Sequence, residues 1–232
     1  IRAASLNAKT GVVIGGGLLG LEAAKALRDL DLDTHVVEFA PRLMAVQIDD
    51  LGGKVLRSKI ENLGVKVHTQ KATSSIEEGT STTHVMRFGD GSELETDIIL
   101  FSAGIRPRDE LARQSGLNMG ERGGISINNY CQTSDEDIYA IGECALWQNK
   151  IYGLVAPGYD MARIAAKHVM SQTSTAFLGA DMSTKLKLMG VDVASVGDAH
   201  AMTPNALSYF YADENAMIYK KIVVNAEKTK LL

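Results

Sequence analysis

A chain of 232 residues, 45% hydrophobic and 22% charged, is long enough for two modest domains, each with its own apolar core. Its net charge of −4 excludes the strongly basic face that nucleic-acid binding needs, and no apolar run approaches the length of a membrane span. The two cysteines, Cys131 and Cys144, are too far apart for a CxxC redox pair or paired zinc ligands, and His35, His68, His84, His168 and His200 are scattered. No metal site is expected, and two reduced, buried thiols in a cytoplasmic protein are. The opening Ile1-Arg2-Ala3-Ala4-Ser5 resembles neither a signal peptide nor an initiator end.

In chain order, Gly11 to Ile14 is a short apolar run entering glycines, which predicts a buried parallel strand. Leu18, Leu21, Ala24, Leu27 and Leu30 repeat at helical spacing, and Thr34 to Phe39 reads as a second strand. Leu51, Val55, Ile60 and Leu63 predict a helix over Ile48 to Leu63, stopped by Gly64, before a third strand from Val65 to His68. This βαβαβ order is the mononucleotide-binding half of a doubly wound α/β sheet. Glycine-bearing breaks then separate Ala72 to Glu77, Thr82 to Phe88 and Glu93 to Glu95, predicting a three-stranded β-meander. Asp97 to Ser102 and Ile138 to Ile141 read as buried strands, and Ala156 to Met170 as a helix with Pro157 in its first turn. After Ser171 the texture changes: Val191 to Val196, Leu207 to Tyr211 and Met217 to Val224 predict strands of an antiparallel sheet, and Leu231-Leu232 the start of another. Both ends read as cut from a longer chain.

The main chemical signal is Gly15-Gly16-Gly17-Leu18-Leu19-Gly20. The GxGxxG pattern alone is weak, but here it follows a predicted strand, opens an amphipathic helix and meets an acidic residue, Glu38, at the end of the next strand. Gly15 allows the tight turn, Gly17 lets backbone amides approach a pyrophosphate, and Gly20 lets the helix pack on the sheet. The helix start offers free amides and a positive dipole end to the phosphates. A carboxylate at Glu38 accepts hydrogen bonds from the adenosine ribose hydroxyls and repels a 2′-phosphate, which favours NADH over NADPH. Arg42 nearby works the other way, since arginines bind 2′-phosphates. The alternative for Glu38 is a solvated loop charge. Gly104, in Ala103-Gly104-Ile105-Arg106-Pro107, follows a strand and either brings backbone near a ligand or closes a plain turn. Gly142 and Glu143 end a strand in a Gly-acid pair, another candidate place for ribityl or phosphate oxygens, though by itself a weak signal.

These residues, with Thr133-Ser134-Asp135-Glu136-Asp137-Ile138-Tyr139-Ala140-Ile141-Gly142-Glu143, make a sequence that resembles the pyridine nucleotide-dependent flavoprotein reductases. Glu38-Phe39-Ala40-Pro41-Arg42-Leu43-Met44-Ala45, Gly142-Glu143-Cys144-Ala145 and Leu186-Lys187-Leu188-Met189-Gly190-Val191-Asp192-Val193 narrow the likeness to the large subunits of bacterial assimilatory NADH-dependent nitrite reductases. The resemblance runs along essentially the whole chain. It implies that Gly15, Gly17, Gly20 and Glu38 hold NADH, that Glu22 in the first turn of the helix lies near the nicotinamide, and that Gly142 and Glu143 face the ribityl chain of FAD. Many members of the wider superfamily have Asp at the Glu143 position. It further implies that FAD passes electrons to an iron–sulfur cluster and sirohaem outside these residues, where nitrite becomes ammonia, with a small subunit as a candidate partner. The expected division is 8–107 as an NAD-binding Rossmann domain with its β-meander, 108–172 as the C-terminal part of an FAD-binding domain, and 173–232 as a truncated antiparallel region. The alternatives are a rubredoxin- or ferredoxin-type flavin reductase and a non-catalytic NADH-sensing module; the cysteine spacing argues against a disulfide reductase.

Overall fold

The computed structural model describes residues 2–188 and 190–232, so Ile1, and Met189 in the tract 186–193, lie outside the described residues. The elements in chain order are α1 (Arg2–Ser5), β1 (Thr10–Ile14), α2 (Leu18–Arg28), β2 (Asp33–Val37), α3 (Asp50–Asn62), β3 (Lys66–His68), β4 (Thr73–Glu78), β5 (His84–Phe88), β6 (Glu93–Thr96) and β7 (Ile98–Phe101). There follow α4 (Glu110–Gln114), β8 (Ile125–Ile127), a 3₁₀ turn (Gly142–Cys144), β9 (Ala145–Trp147), β10 (Lys150–Ile151), α5 (Val155–Val169), β11 (Thr184–Leu188), β12 (Val191–Ser195), β13 (Leu207–Asp213) and β14 (Ile218–Val224). They form two compact units: Ile1–Gly104 with Ser183–Leu232, and Ile105–Met182.

The first unit is built on a parallel sheet in the order β3-β2-β1-β7. Successive strand residues point to opposite faces, so Val13 and Val36 join Leu21, Leu27, Leu56 and Ile60 of α2 and α3 in one core. Val12 and Val37 meet Met86 and Phe88 of the antiparallel β4-β5-β6 meander in another. The period of Leu21, Ala24 and Leu27 gives α2 its buried stripe. Asp49 starts α3 by accepting the Gly52 N–H at 3.0 Å. At the other end Gly64, with φ +87°, donates to Glu61 O while Val65 donates to Ile60 O, a double reverse bond that needs a left-handed residue and explains why glycine stops the helix.

The region after residue 183 differs from expectation. Its strands form two separate hairpins, β11-β12 and β13-β14, rather than one antiparallel sheet. Leu186 and Val191 are buried in the core of α2 and α3, so residues 183–232 share the first unit instead of standing apart as 173–232. On α3 the hairpin is fastened by Asp49: its carboxylate accepts the Tyr219 hydroxyl at 2.6 Å and the Lys221 ammonium at 2.9 Å.

The second unit closes around Trp147, Tyr152, Met161, Ile164 and Phe177, with the Phe177 ring edge-on to Trp147 and Tyr152. The Trp147 indole N–H donates to Asn129 Oδ1 at 2.9 Å. The predicted strand Ile138–Ile141 is not one: only an isolated bridge, Gln132↔Tyr139, forms there, and the chain turns into Gly142–Cys144. Among the described residues no neighbouring strand offers those backbone groups a ladder, so an apolar run by itself does not become a strand. Cys131 is buried, and burial pushes its thiol up to about 11, but Cys144 is only half-buried, against the expectation of two buried thiols.

Candidate dinucleotide site

Three parallel strands end side by side, with Ile14 opposite both Val37 and Phe101. The segments leaving them are therefore brought to one sheet edge: the glycine turn after β1, Glu38 after β2, and Ser102-Ala103-Gly104 after β7. The carboxyl ends of such strands are where open α/β sheets bind ligands.

Each glycine has its own reason. Gly15 sits at φ +115° with its N–H bonded to Val37 O at 2.8 Å, and a Cβ there would stand 2.3 Å from Ser102 O. Gly20 lies directly on that turn, since a Cβ would meet Gly15 O at 1.8 Å. Gly16 is buried against Leu43, and its carbonyl accepts the Met44 N–H at 2.9 Å. Gly17 is different. No atom lies within 4 Å of its Cβ position, and as the N-cap of α2 it makes no side-chain cap bond. The first amides of the eleven-residue α2, which lack intrahelical partners, thus lie next to that open position at the positive end of its dipole, with Leu18 half-buried and Leu19 exposed beside them. A pyrophosphate fits that space, and the residues present fit a dinucleotide.

Glu38 is held rather than loose. Its Oε2 accepts the Gly16 N–H at 2.5 Å and its Oε1 the Ala40 N–H at 2.7 Å. An ionised carboxylate has about four acceptor positions, so two remain for the two hydroxyls of a ribose. The carboxylate is thereby pinned to the glycine turn itself.

The other expected residues divide. Arg42 does not stand free: Nε donates to Ile48 O at 2.9 Å, a terminal nitrogen pairs with Asp50 at 2.6 Å, and its stem lies against Gly53. It clamps its own loop. Glu22 is exposed on α2 as its fifth residue, one past the first turn rather than in it. Gly104 has φ +94° and open space at its Cβ position. Gly142 and Glu143 belong to the second unit, where the Gly142 N–H meets Met161 Sδ at 3.3 Å, Glu143 is exposed, and α5 begins without a side-chain cap. Sequence reasoning passed over Ser102, Leu43 and Met44, which wall the glycine turn; only their nearness to Gly104 and Arg42 in the chain hinted at them. Among the described residues no group of three or more His, Cys, Asp or Glu side chains could hold a metal, and no helix is long and apolar enough to cross a membrane.

Comparison with known proteins gives this geometry a family. Residues 1–180 match the family described as pyridine nucleotide-disulphide oxidoreductase. The chain is 58% identical, over its whole length, to the nitrite reductase (NADH) large subunit of Escherichia coli K12, covering 27% of that protein. It is 40% identical over 97% of its length to the nitrite reductase [NAD(P)H] of Bacillus subtilis, covering 28% of it. It therefore spans about a quarter of the length of these relatives. A rubredoxin-NAD(+) reductase of Alcanivorax borkumensis is similar at 32% identity over 77% of the chain and 46% of that protein. Among solved structures, a water-forming NADH oxidase from Lactobacillus brevis bound to NADH superposes with a TM-score of 0.85 at 21% identity, covering 99% of this chain and 54% of the oxidase. The shared fold, the glycine turn at the strand ends and the match over residues 1–180 lead to one conclusion: the chain belongs to the pyridine nucleotide-disulphide oxidoreductase family.

Proposed function

We propose that this chain is the NADH-binding part of the large subunit of an assimilatory NADH-dependent nitrite reductase. The observation that carries the reading is the 58% identity, over the whole of this chain, to a large subunit of that name. The sheet edge supplies the chemistry. Gly17 and the α2 amides hold the pyrophosphate, Glu38 takes the ribose hydroxyls, and the turn is rigid enough to orient the dinucleotide. The 32% identity to a rubredoxin reductase, over a smaller part of the chain, makes that alternative the weaker one.

FAD, when bound, supplies an acceptor for the hydride of NADH that releases electrons singly. Among the described residues only the Gly142–Glu143 edge and the uncapped start of α5 suit a flavin, and they contain one dinucleotide-type glycine turn, already assigned to NADH. On this reading the iron–sulfur cluster, the sirohaem and the nitrite lie elsewhere in the full-length protein. A small subunit is a candidate partner, and the cytoplasm, where NADH and reduced thiols coexist, is its place. The 232-residue chain purified by itself is accordingly expected to be colourless and to leave NADH unoxidised when nitrite is present. A flavin band surviving gel filtration, iron found by elemental analysis, or steady loss of NADH absorbance would contradict this.

Cofactor choice tests the site directly. Hydrogen bonds to a charged group contribute about 1.5–3 kcal/mol, so NADH should bind at least about tenfold tighter than NADPH. Glu38→Ala should narrow the gap from both sides, because it removes the ribose acceptor and frees the Gly16 and Ala40 amides for a 2′-phosphate. Equal affinity of the unaltered chain for both cofactors, measured by fluorescence titration, would refute the role of Glu38.

A further inference from the structure

Next to Glu38 stands Phe39, a phenyl ring 78% exposed to solvent. The backbone on either side of it is fastened. The Glu38 N–H donates to His68 O at 2.8 Å, and Glu38 O accepts the Lys71 N–H at 3.0 Å. On the other side Ala40 O accepts the Gln70 N–H at 3.1 Å, while the Ala40 N–H is held by Glu38 Oε1 at 2.7 Å. Four hydrogen bonds therefore bracket one exposed aromatic residue. A large apolar side chain on a loose loop folds down onto the surface; on a fastened backbone it stays in water unless a partner covers it.

The nature of the partner follows from the neighbour. Glu38 is placed to accept the hydroxyls of a ribose, and in an adenosine the base is attached to the carbon beside one of those hydroxyls. Consecutive Cα atoms are about 3.8 Å apart, which brings residue 39 within reach of whatever that ribose carries. A purine has a broad π-face, and stacking on an aromatic ring suits it. We infer that Phe39 is the adenine platform of this site, a positioning residue that makes binding depend on the adenosine half of the cofactor; this rests on the proposed reading of the site as an NADH site. The second consequence concerns selectivity. A phenyl ring beside the 2′-position offers a phosphate neither charge nor donor, so Phe39 and Glu38 act together against NADPH.

The test uses the 232-residue chain with three ligands: NADH, ADP-ribose, which lacks the nicotinamide, and reduced nicotinamide mononucleotide, which lacks the adenosine. Phe39→Ala is expected to weaken NADH and ADP-ribose by the same factor, about tenfold or more, and to leave the mononucleotide unaffected. Because the ring is exposed, the unfolding temperature should not move. Phe39→Trp should retain affinity and report the contact itself, its fluorescence being quenched by ADP-ribose; Trp147, the one native tryptophan, gives the background. Undiminished ADP-ribose affinity in Phe39→Ala, or no quenching in Phe39→Trp while ADP-ribose binds, would overturn the inference and leave the NADH site standing. Failure of the unaltered chain to bind NADH or ADP-ribose would instead remove the site reading and this inference with it.

Discussion

Gly20→Ala is expected to abolish measurable NADH binding and to lower the unfolding temperature of the first unit by roughly 4–8 °C. Alanine in a helix interior is favoured over glycine by about 1 kcal/mol, so propensity alone predicts a gain. Against it stands the Gly15 carbonyl, 1.8 Å from where the new Cβ would lie. That oxygen is not free to move away, because Gly15 N–H is bonded to Val37 O and Ser102 N–H to Ile14 O in the strands on either side. Overpacking of this kind costs about 3 kcal/mol. The net loss is then about 2 kcal/mol, and each kcal/mol moves the midpoint by roughly 2–4 °C in a chain of this size. To relieve the clash α2 must lift off the turn, and its first amides leave the pyrophosphate position. Gly17→Ala makes the contrast: with nothing within 4 Å of its Cβ position, the unfolding temperature should hold while NADH affinity falls, because the methyl group occupies the ligand's space. Thermal unfolding with and without NADH reads both. A Gly20→Ala protein with ordinary affinity would refute the assignment of the turn.

The second large effect is at Asp49, the N-cap of α3. Its carboxylate caps α3 through Gly52 N–H, accepts the Tyr219 hydroxyl and pairs with Lys221, whose ammonium also donates to Ala199 O at 3.0 Å. Asp49→Ala removes a helix cap and two hydrogen bonds, and leaves a mostly buried ammonium short of its counter-charge, a combined cost of roughly 3 kcal/mol. The β13-β14 hairpin should detach first, which hydrogen exchange of residues 207–224 would register. The effect carries a pH signature. Burial works to raise the Asp49 pKa, but the Tyr219 hydroxyl, the Gly52 amide and the Lys221 ammonium outweigh it, and the carboxyl titrates below its ordinary 3.8. A depressed carboxylate contributes stability that is fully present above the unfolded value, near 3.8, and is lost as pH falls through the lower folded one. The advantage of the unaltered chain over Asp49→Asn, taken from urea midpoints, should therefore shrink below about pH 4. A gap unchanged between pH 7 and pH 3 would mean that the charge plays no part.

What the amino-acid sequence carries by itself is local. The glycine turn, the amphipathic stripe of α2, Glu38 at its distance and the Gly64 stop all depend on residues within a few turns of one another, so the βαβαβ order and the elements that build the proposed NADH site were legible from the string of residues. Features needing a distant partner were not. Ile138–Ile141 has the composition of a strand, but among the described residues its pairing stops at the single bridge Gln132↔Tyr139 and does not extend into a ladder. The β9-β10 hairpin turns on Gln148 and Asn149, at φ +44° and +61°, without the glycine that usually announces such a turn. Arg42, read as a phosphate ligand, is committed to Ile48 and Asp50. The chain by itself determined the type of ligand site and the elements that build it, because fingerprint and periodicity are short-range properties of the backbone. Only the tertiary structure decided that Leu186 and Val191 complete the core of α2 and α3, that Asp49 fastens a hairpin some 170 residues away, and that Phe39 stays in solvent. Burial is a property of the assembled surfaces, and no window of sequence contains both sides of a contact.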